Sequence, residues 1–88
     1  MWVQYDPVKA AANVRKHGVS FADAEGVLAD PLSVTIEDPD AQRERRYIAI
    51  GSGNLGELLV LVYSMHADEC RLISARRATG KERKAYEG

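Results

Sequence analysis

The stretch DPLSVTIE, Asp30 to Glu37, is where the chain changes its period. Proline at 31 disfavours helical angles at Asp30, so whatever helix precedes it ends there. Beyond it Leu32, Val34 and Ile36 alternate with Ser33, Thr35 and Glu37, the period of two that a half-buried strand requires. Working back, SFADAEGVLAD reads as a helix with Ser20 as its cap and Asp23 near the third position, and with Phe21, Ala24 and Leu28 on one face. Before that, DPVKAAANVRKHG carries Asp6 to cap, Pro7 in the first turn and Gly18 to stop a helix in a left-handed conformation. On that helix Val8, Ala11, Ala12 and Arg15 share one face, and Lys9, Asn13 and Lys16 form a separate polar stripe. The leading WVQY alternates and is a brief strand.

Working forward from Glu37, DPDAQRE is an acidic turn, RRYIAIG a strand, SGNLGE a glycine-rich hairpin loop and LLVLVYS a strand apolar on both faces, hence central. MHADE is a short loop, CRLISARR a last strand, and TGKERKAYEG a short helix capped by Thr79 with Glu82 at its third position. Helices followed by hairpin-linked strands make an α+β domain over residues 1–88: two N-terminal helices packed on a twisted antiparallel sheet of about four strands, with a short C-terminal helix. The helices cover one face of the sheet, leaving the other, partly polar, for function.

At 88 residues, 45% apolar and 28% charged, the chain has the size and composition of one globular domain. No basic start followed by an apolar run marks a signal peptide, and Leu58 to Tyr63, the longest apolar stretch, is too short to span a bilayer. One cysteine, Cys70, cannot make an internal disulfide, which fits a reducing compartment and a cytoplasmic protein with no membrane partner. Among apolar strand neighbours Cys70 is a small buried hydrophobe rather than a nucleophile. The charge is unevenly spread: Arg71 to Gly88 sums to +4 in a chain of −1, leaving −5 for residues 1–70. Only that distribution points to an anionic partner.

Walker, dinucleotide, HExxH and GxSxG patterns are all absent, and with two histidines and one cysteine a structural zinc site is not expected; no cofactor is implied. His17, at the end of the first helix, reads from spacing as a cation near the negative end of the helix dipole. The sharper reading is proton transfer, the work imidazole does best near neutral pH. His66, beside Ala67 and Asp68, reads as an exposed loop residue with no role. Lys9, Asn13 and Lys16 are either a solvated face or three donors in line for a phosphate chain. Arg46 opens one strand, and Arg76 and Arg77 close another. Strict alternation puts Arg76 with Leu72 and Ser74, and Arg77 with Arg71, Ile73 and Ala75. Arg83 and Tyr86 meet on one side of the last helix. For all of these, surface ion pairing with Glu82, Glu87 and the acidic turn is the plain alternative to phosphate binding.

Three pieces, YDPVKAAANVRKHGVSFADAEGVLADPL, ERRYIAIG and RLISARRATGKERKAYE, in this order and spacing, resemble the BrnT family of bacterial toxins over nearly the whole chain. The family's pattern falls on Asp6, Lys9, Asn13, Lys16, His17, Arg46, Arg71, Ser74, Arg76, Arg77, Glu82, Arg83 and Tyr86. The resemblance implies a RelE-like fold and a type II toxin that cleaves RNA and arrests translation and growth. The implied partner is a neutralising BrnA-type antitoxin, through which alone the complex would reach DNA; a homodimer is a further arrangement. The scheme expected from these residues needs no metal, because RNA supplies its own 2′-hydroxyl nucleophile. Arg46 with Arg76 or Arg77 would clamp the phosphate, His17 would move the proton, and Lys9, Asn13, Lys16, Arg83 and Tyr86 would bind substrate. The competing expectation is a non-catalytic module that docks the antitoxin in a DNA-bound, autorepressing complex. The catalytic scheme requires the first helix, the start of the second sheet strand and the C-terminal segment to converge on one groove.

Overall fold

Each helix begins and ends on the residues that announce it. Helix α1 (Pro7–His17) starts at Asp6, whose carboxylate accepts from the Val8 amide at 2.8 Å, and stops at Gly18, whose φ of 70° is the left-handed conformation. Only glycine adopts that geometry without steric cost. Helix α2 (Phe21–Ala29) is capped by Ser20, which accepts from the Asp23 amide, and Asp30 after it is extended as Pro31 demands. Helix α3 (Gly80–Glu87) opens with a complete capping box between Thr79 and Glu82, which outweighs the cost of Gly80. The computed structural model describes residues 2–42 and 44–88, so Arg43, in the acidic turn, lies outside the described residues.

The sheet has five strands, not about four, and it is mixed rather than antiparallel throughout. Strands β1 (Trp2–Gln4), β2 (Val34–Glu37), β3 (Arg45–Ser52), β4 (Leu58–His66) and β5 (Glu69–Arg77) take the order β1-β5-β4-β3-β2. The short loops do make β2 to β5 antiparallel. The fifth member is WVQ, which runs parallel to β5 with Val3 opposite Cys70. Two helices and three strands intervene, a crossover long enough to permit parallel pairing. β4 is central, as its two apolar faces imply. MHADE is mostly strand: β4 runs through His66, and the turn is only Ala67-Asp68, with Ala67 at φ 55°.

One face of the sheet meets α1 and α2. There Val19, Phe21, Ala24, Val27, Ala49, Leu59, Leu61, Cys70, Leu72 and Ala75 form the core. Burying each large side chain contributes about 1.5–3 kcal/mol. Cys70 is fully buried, and desolvation pushes its thiol's pKa up, so it behaves as a core hydrophobe. On α1 the orientation differs from the apolar pattern. Val8 is 74% exposed, whereas Asn13 is 7% exposed and faces the sheet. Its amide nitrogen donates to the carbonyls of Val19 and Ala75, and its oxygen accepts from the Ala75 amide. A polar pin, rather than an apolar stripe, docks this helix.

Contrary to the expectation of helices on one face only, α3 returns to the opposite face and packs on β3. It is tied there by Arg76, which points away from the core, to Glu82. Leu58 and Val60 also point away from α1 and α2 yet are buried. α2 in turn clamps the β3–β4 loop. Asn54 donates from its backbone to Asp23 O and from its side chain to Ala22 O, and Leu55 donates to the Asp23 carboxylate. A Cβ at Gly26 would stand 2.5 Å from Asn54 N and 2.7 Å from the Gly53 carbonyl carbon. Gly26→Ala, normally favourable inside a helix, therefore lowers stability by about 1–3 kcal/mol in urea unfolding.

Candidate functional site

The geometry of the site depends on an irregularity in β5. Val62 pairs with Ser74, but the next residue, Tyr63, pairs with Leu72, so Ile73 is an extra residue. A bulge reverses the alternation on either side of itself. Consequently Leu72, Ala75 and Arg77 share the core face, while Arg71, Ser74 and Arg76 share the open one. This corrects the strict alternation that grouped Arg71 with Arg77.

The register then writes out the open face in cross-strand rows. One row is Gln4, Arg71, Ser64 and Arg46, from β1 through β5 and β4 to β3. The row toward the Ala67-Asp68 turn is Trp2, Glu69 and His66. On the other side lie Ser74, Val62, Ile48 and Ile36, then Arg76, Val60, Ile50 and Val34. Side chains opposite each other on a sheet face stand roughly 5 Å apart, so Arg46 and Arg71 flank Ser64 at a distance a phosphate group can bridge.

Above the first row is a cavity of about 470 Å³ lined by Lys9, Arg46, Ser64, Arg71 and Ile73, and by Asp40, Ala41, Gln42 and Glu44. Lys9 arrives from the first turn of α1, Arg46 from the start of β3 and Arg71 from the start of β5. Ser64 is 5% exposed and floors the cavity. Asp40 and Glu44 line it too, so among the described residues three cations face two carboxylates. Arg71 also holds Glu69 at 3.0 Å, with 57% of its side chain exposed. An exposed pair of this kind contributes little stability and leaves the guanidinium donors available. A smaller cavity of about 150 Å³ adjoins it, lined by Glu44, Ser64, His66, Glu69 and Arg71. His66 is thus not an isolated loop residue: it lies one row from the cations.

The remaining sequence candidates lie elsewhere. Asn13 is the buried pin already described. Lys16, exposed and two turns beyond Lys9, is not among the residues lining the larger cavity. His17 closes α1 on the core side, where its carbonyl accepts from Arg77 Nη1 at 3.0 Å. Arg77 Nε also donates to Glu57 at 2.7 Å, so this guanidinium caps the negative end of α1 and links it to the β3–β4 hairpin. Arg76 makes a two-pronged pair with Glu82, both bonds 2.8 Å. Arg83 and Tyr86 line a separate cavity with Arg77, Ser52 and Glu57. The Tyr86 hydroxyl donates to Asp30 at 2.7 Å, and Asp30 also accepts from the Ser52 amide. Of the ion pairs expected with Glu82, Glu87 and the acidic turn, Arg76–Glu82 is present, and with the Tyr86–Asp30 bond it fastens α3.

That fastening is acid-sensitive. The Arg76 bonds, and after them the Thr79 amide, hold the Glu82 carboxyl well below its ordinary 4.5, at about 2. The Ser52 amide, then Tyr86, lowers the Asp30 carboxyl as well. A carboxylate whose pKa is lower folded than unfolded contributes its full stability above the unfolded value. That contribution disappears as pH falls from about 4.5 to about 2. Glu82→Gln is accordingly less stable than the parent near neutrality and shows a flatter stability curve across that window, measured by urea unfolding at successive pH values.

Sequence reasoning selected Lys9 and Arg46, reached Arg71 only through the family's pattern, and passed over Ser64 and His66. The register of a two-residue turn at Ala67-Asp68 would have brought His66 onto the face, whereas the bulge left no sequence signal. Among the described residues no group of His, Cys, Asp and Glu is arranged to hold a metal ion, and no helix is long and apolar enough to cross a membrane.

Residues 5–82 match the family model described as the ribonuclease toxin BrnT of type II toxin–antitoxin systems. The fold is similar to the crystal structure of the Brucella abortus ribonuclease toxin BrnT, with a TM-score of 0.65 and 27% identity over 90% of this chain and 97% of that one. No curated protein matches the chain in sequence.

Proposed function

The chain belongs to the BrnT family of ribonuclease toxins of type II toxin–antitoxin systems, and from that premise we propose that it cleaves RNA on the open face of its sheet. Arg46 and Arg71 grip the scissile phosphate from either side of Ser64, and Lys9 neutralises the same or the adjoining phosphate. The observation that carries this reading is the cross-strand row Arg46–Ser64–Arg71 beneath a cavity that Lys9 also lines. Guanidinium forks match phosphate oxygens, and fixed cations stabilise the extra charge of a pentacoordinate phosphorus without reorganising during the reaction. Trp2, 69% exposed on the same face, offers a surface on which an unpaired base can stack. The substrate is therefore single-stranded RNA or an RNA loop.

With protein cations supplying the positive charge and the substrate supplying the nucleophile, cleavage proceeds without a metal. Arg76 and Arg77 keep α3 and α1 in place, and Lys16 and Arg83 contact flanking backbone. A BrnA-type antitoxin neutralises the toxin by occupying this face, and carries the pair to DNA. The deciding experiment is cleavage of a single-stranded RNA by purified protein in excess EDTA. Products ending in a 2′,3′-cyclic phosphate and a 5′-hydroxyl are expected. Activity that EDTA abolishes and magnesium restores overturns the metal-free scheme. Absence of cleavage, and of growth arrest on expression without a partner, leaves the docking module instead.

A further inference from the structure

We propose that His66 is the proton-transfer residue of this site, an inference that rests on the ribonuclease reading above. His66 ends β4 one row from Ser64 on the same face, and it lines the smaller cavity together with Ser64 and Arg71. Two residues along a strand span about 7 Å, so an imidazole beside the cation row reaches the ribose of a nucleotide whose phosphate sits between Arg46 and Arg71. His17 has no such access, because it closes α1 on the core side next to Arg77. Among the described residues, the charged groups that line this cavity with His66 are Glu44 from the segment before β3, and Glu69 and Arg71 from β5. Glu69 is itself held by Arg71, which fixes one wall of the imidazole's surroundings.

The step balances without a further reactant. The neutral imidazole takes the 2′-hydroxyl proton as the 2′-oxygen bonds to phosphorus and the bond from phosphorus to the 5′-oxygen breaks. The imidazolium returns that proton, through a water, to the departing 5′-oxygen. The products are a 2′,3′-cyclic phosphate and a 5′-hydroxyl, with no net proton change.

The experiment compares His66→Ala and His66→Gln with the parent on a single-stranded RNA, and on the same sequence carrying a 2′-deoxyribose at the cleavage position. Binding to the uncleavable strand is followed through the fluorescence of Trp2, the chain's single tryptophan. Both variants are expected to cleave about 100-fold or more slowly. They are also expected to bind the uncleavable strand within about two-fold of the parent, since the cations that hold phosphate are intact. Added imidazole partly restores cleavage by His66→Ala. An active parent whose His66→Ala form keeps a third or more of the rate overturns this assignment and leaves the ribonuclease reading intact. Parallel loss of binding and cleavage, or full recovery in His66→Gln, also overturns it in favour of a contact role. A parent that cleaves no RNA overturns both.

Discussion

Arg71→Ala is expected to lower RNA cleavage about 100-fold or more, and Arg46→Ala to do the same, because on the proposed reading each removes a charged donor to the reacting phosphate. Neither change unfolds the protein. Among the described residues Arg71, itself exposed, bonds one side chain, the half-buried Glu69, a contact of the kind that contributes less than about 1 kcal/mol. Arg46 is an exposed strand residue. Thermal midpoints of the variants therefore stay within a few degrees of the parent, and the loss is of rate, read from initial velocities on a labelled single strand. Arg77→Ala gives the reverse pattern. It unties His17 O and Glu57, loosens the end of α1, and lowers the midpoint more than it lowers the rate. Rates that fall with Arg77→Ala but survive Arg71→Ala would move the reaction to the other end of the molecule.

Asn13→Ala is expected to lower stability by about 3 kcal/mol or more. The side chain makes three hydrogen bonds between 2.8 and 3.1 Å, joining α1 to the Val19 carbonyl before α2 and to both polar groups of Ala75 on β5. Alanine strands these buried groups, each at a cost of about 1–3 kcal/mol, part of which relaxation recovers. For a domain of 88 residues, a loss of this size lowers the melting midpoint by more than about 10 °C. Asn13→Asp fares no better, since a carboxylate cannot donate to Val19 O and Ala75 O. Differential scanning calorimetry measures both. A midpoint within about 2 °C of the parent would show that α1 docks by other means.

The helices were legible because their caps are local. Asp6, Ser20, Thr79 and Gly18 act within a few residues of themselves, so the sequence contains the whole interaction. The central place of β4 was legible from a strand apolar on both sides. Three features were not. The parallel partner of WVQ lies across the entire chain, and nothing local selects it. The orientation of α1 is decided by one asparagine that finds backbone partners only in the folded state, which is why the Val8 face, apolar by composition, stays in solvent. The bulge at Ile73 reverses which arginines share a face, so counting residues placed Arg71 on the wrong side. Lys9 and Arg46 were found by charge and position. Arg71 was reached only through the family's pattern, because the bulge hid which face it shares, and His66 was hidden by a turn three residues shorter than the loop expected.

The pairing of the first strand with the last also bears on how the chain is made. Strand β1 leaves the ribosome first but has no neighbour until β5 follows, and the gripping row takes one member from each of the two final strands. Synthesis therefore has to be nearly finished before the proposed row exists, and a fragment cut short ahead of residue 69 cannot assemble it. On the proposed reading, a cell translating this gene is spared by its own unfinished chains.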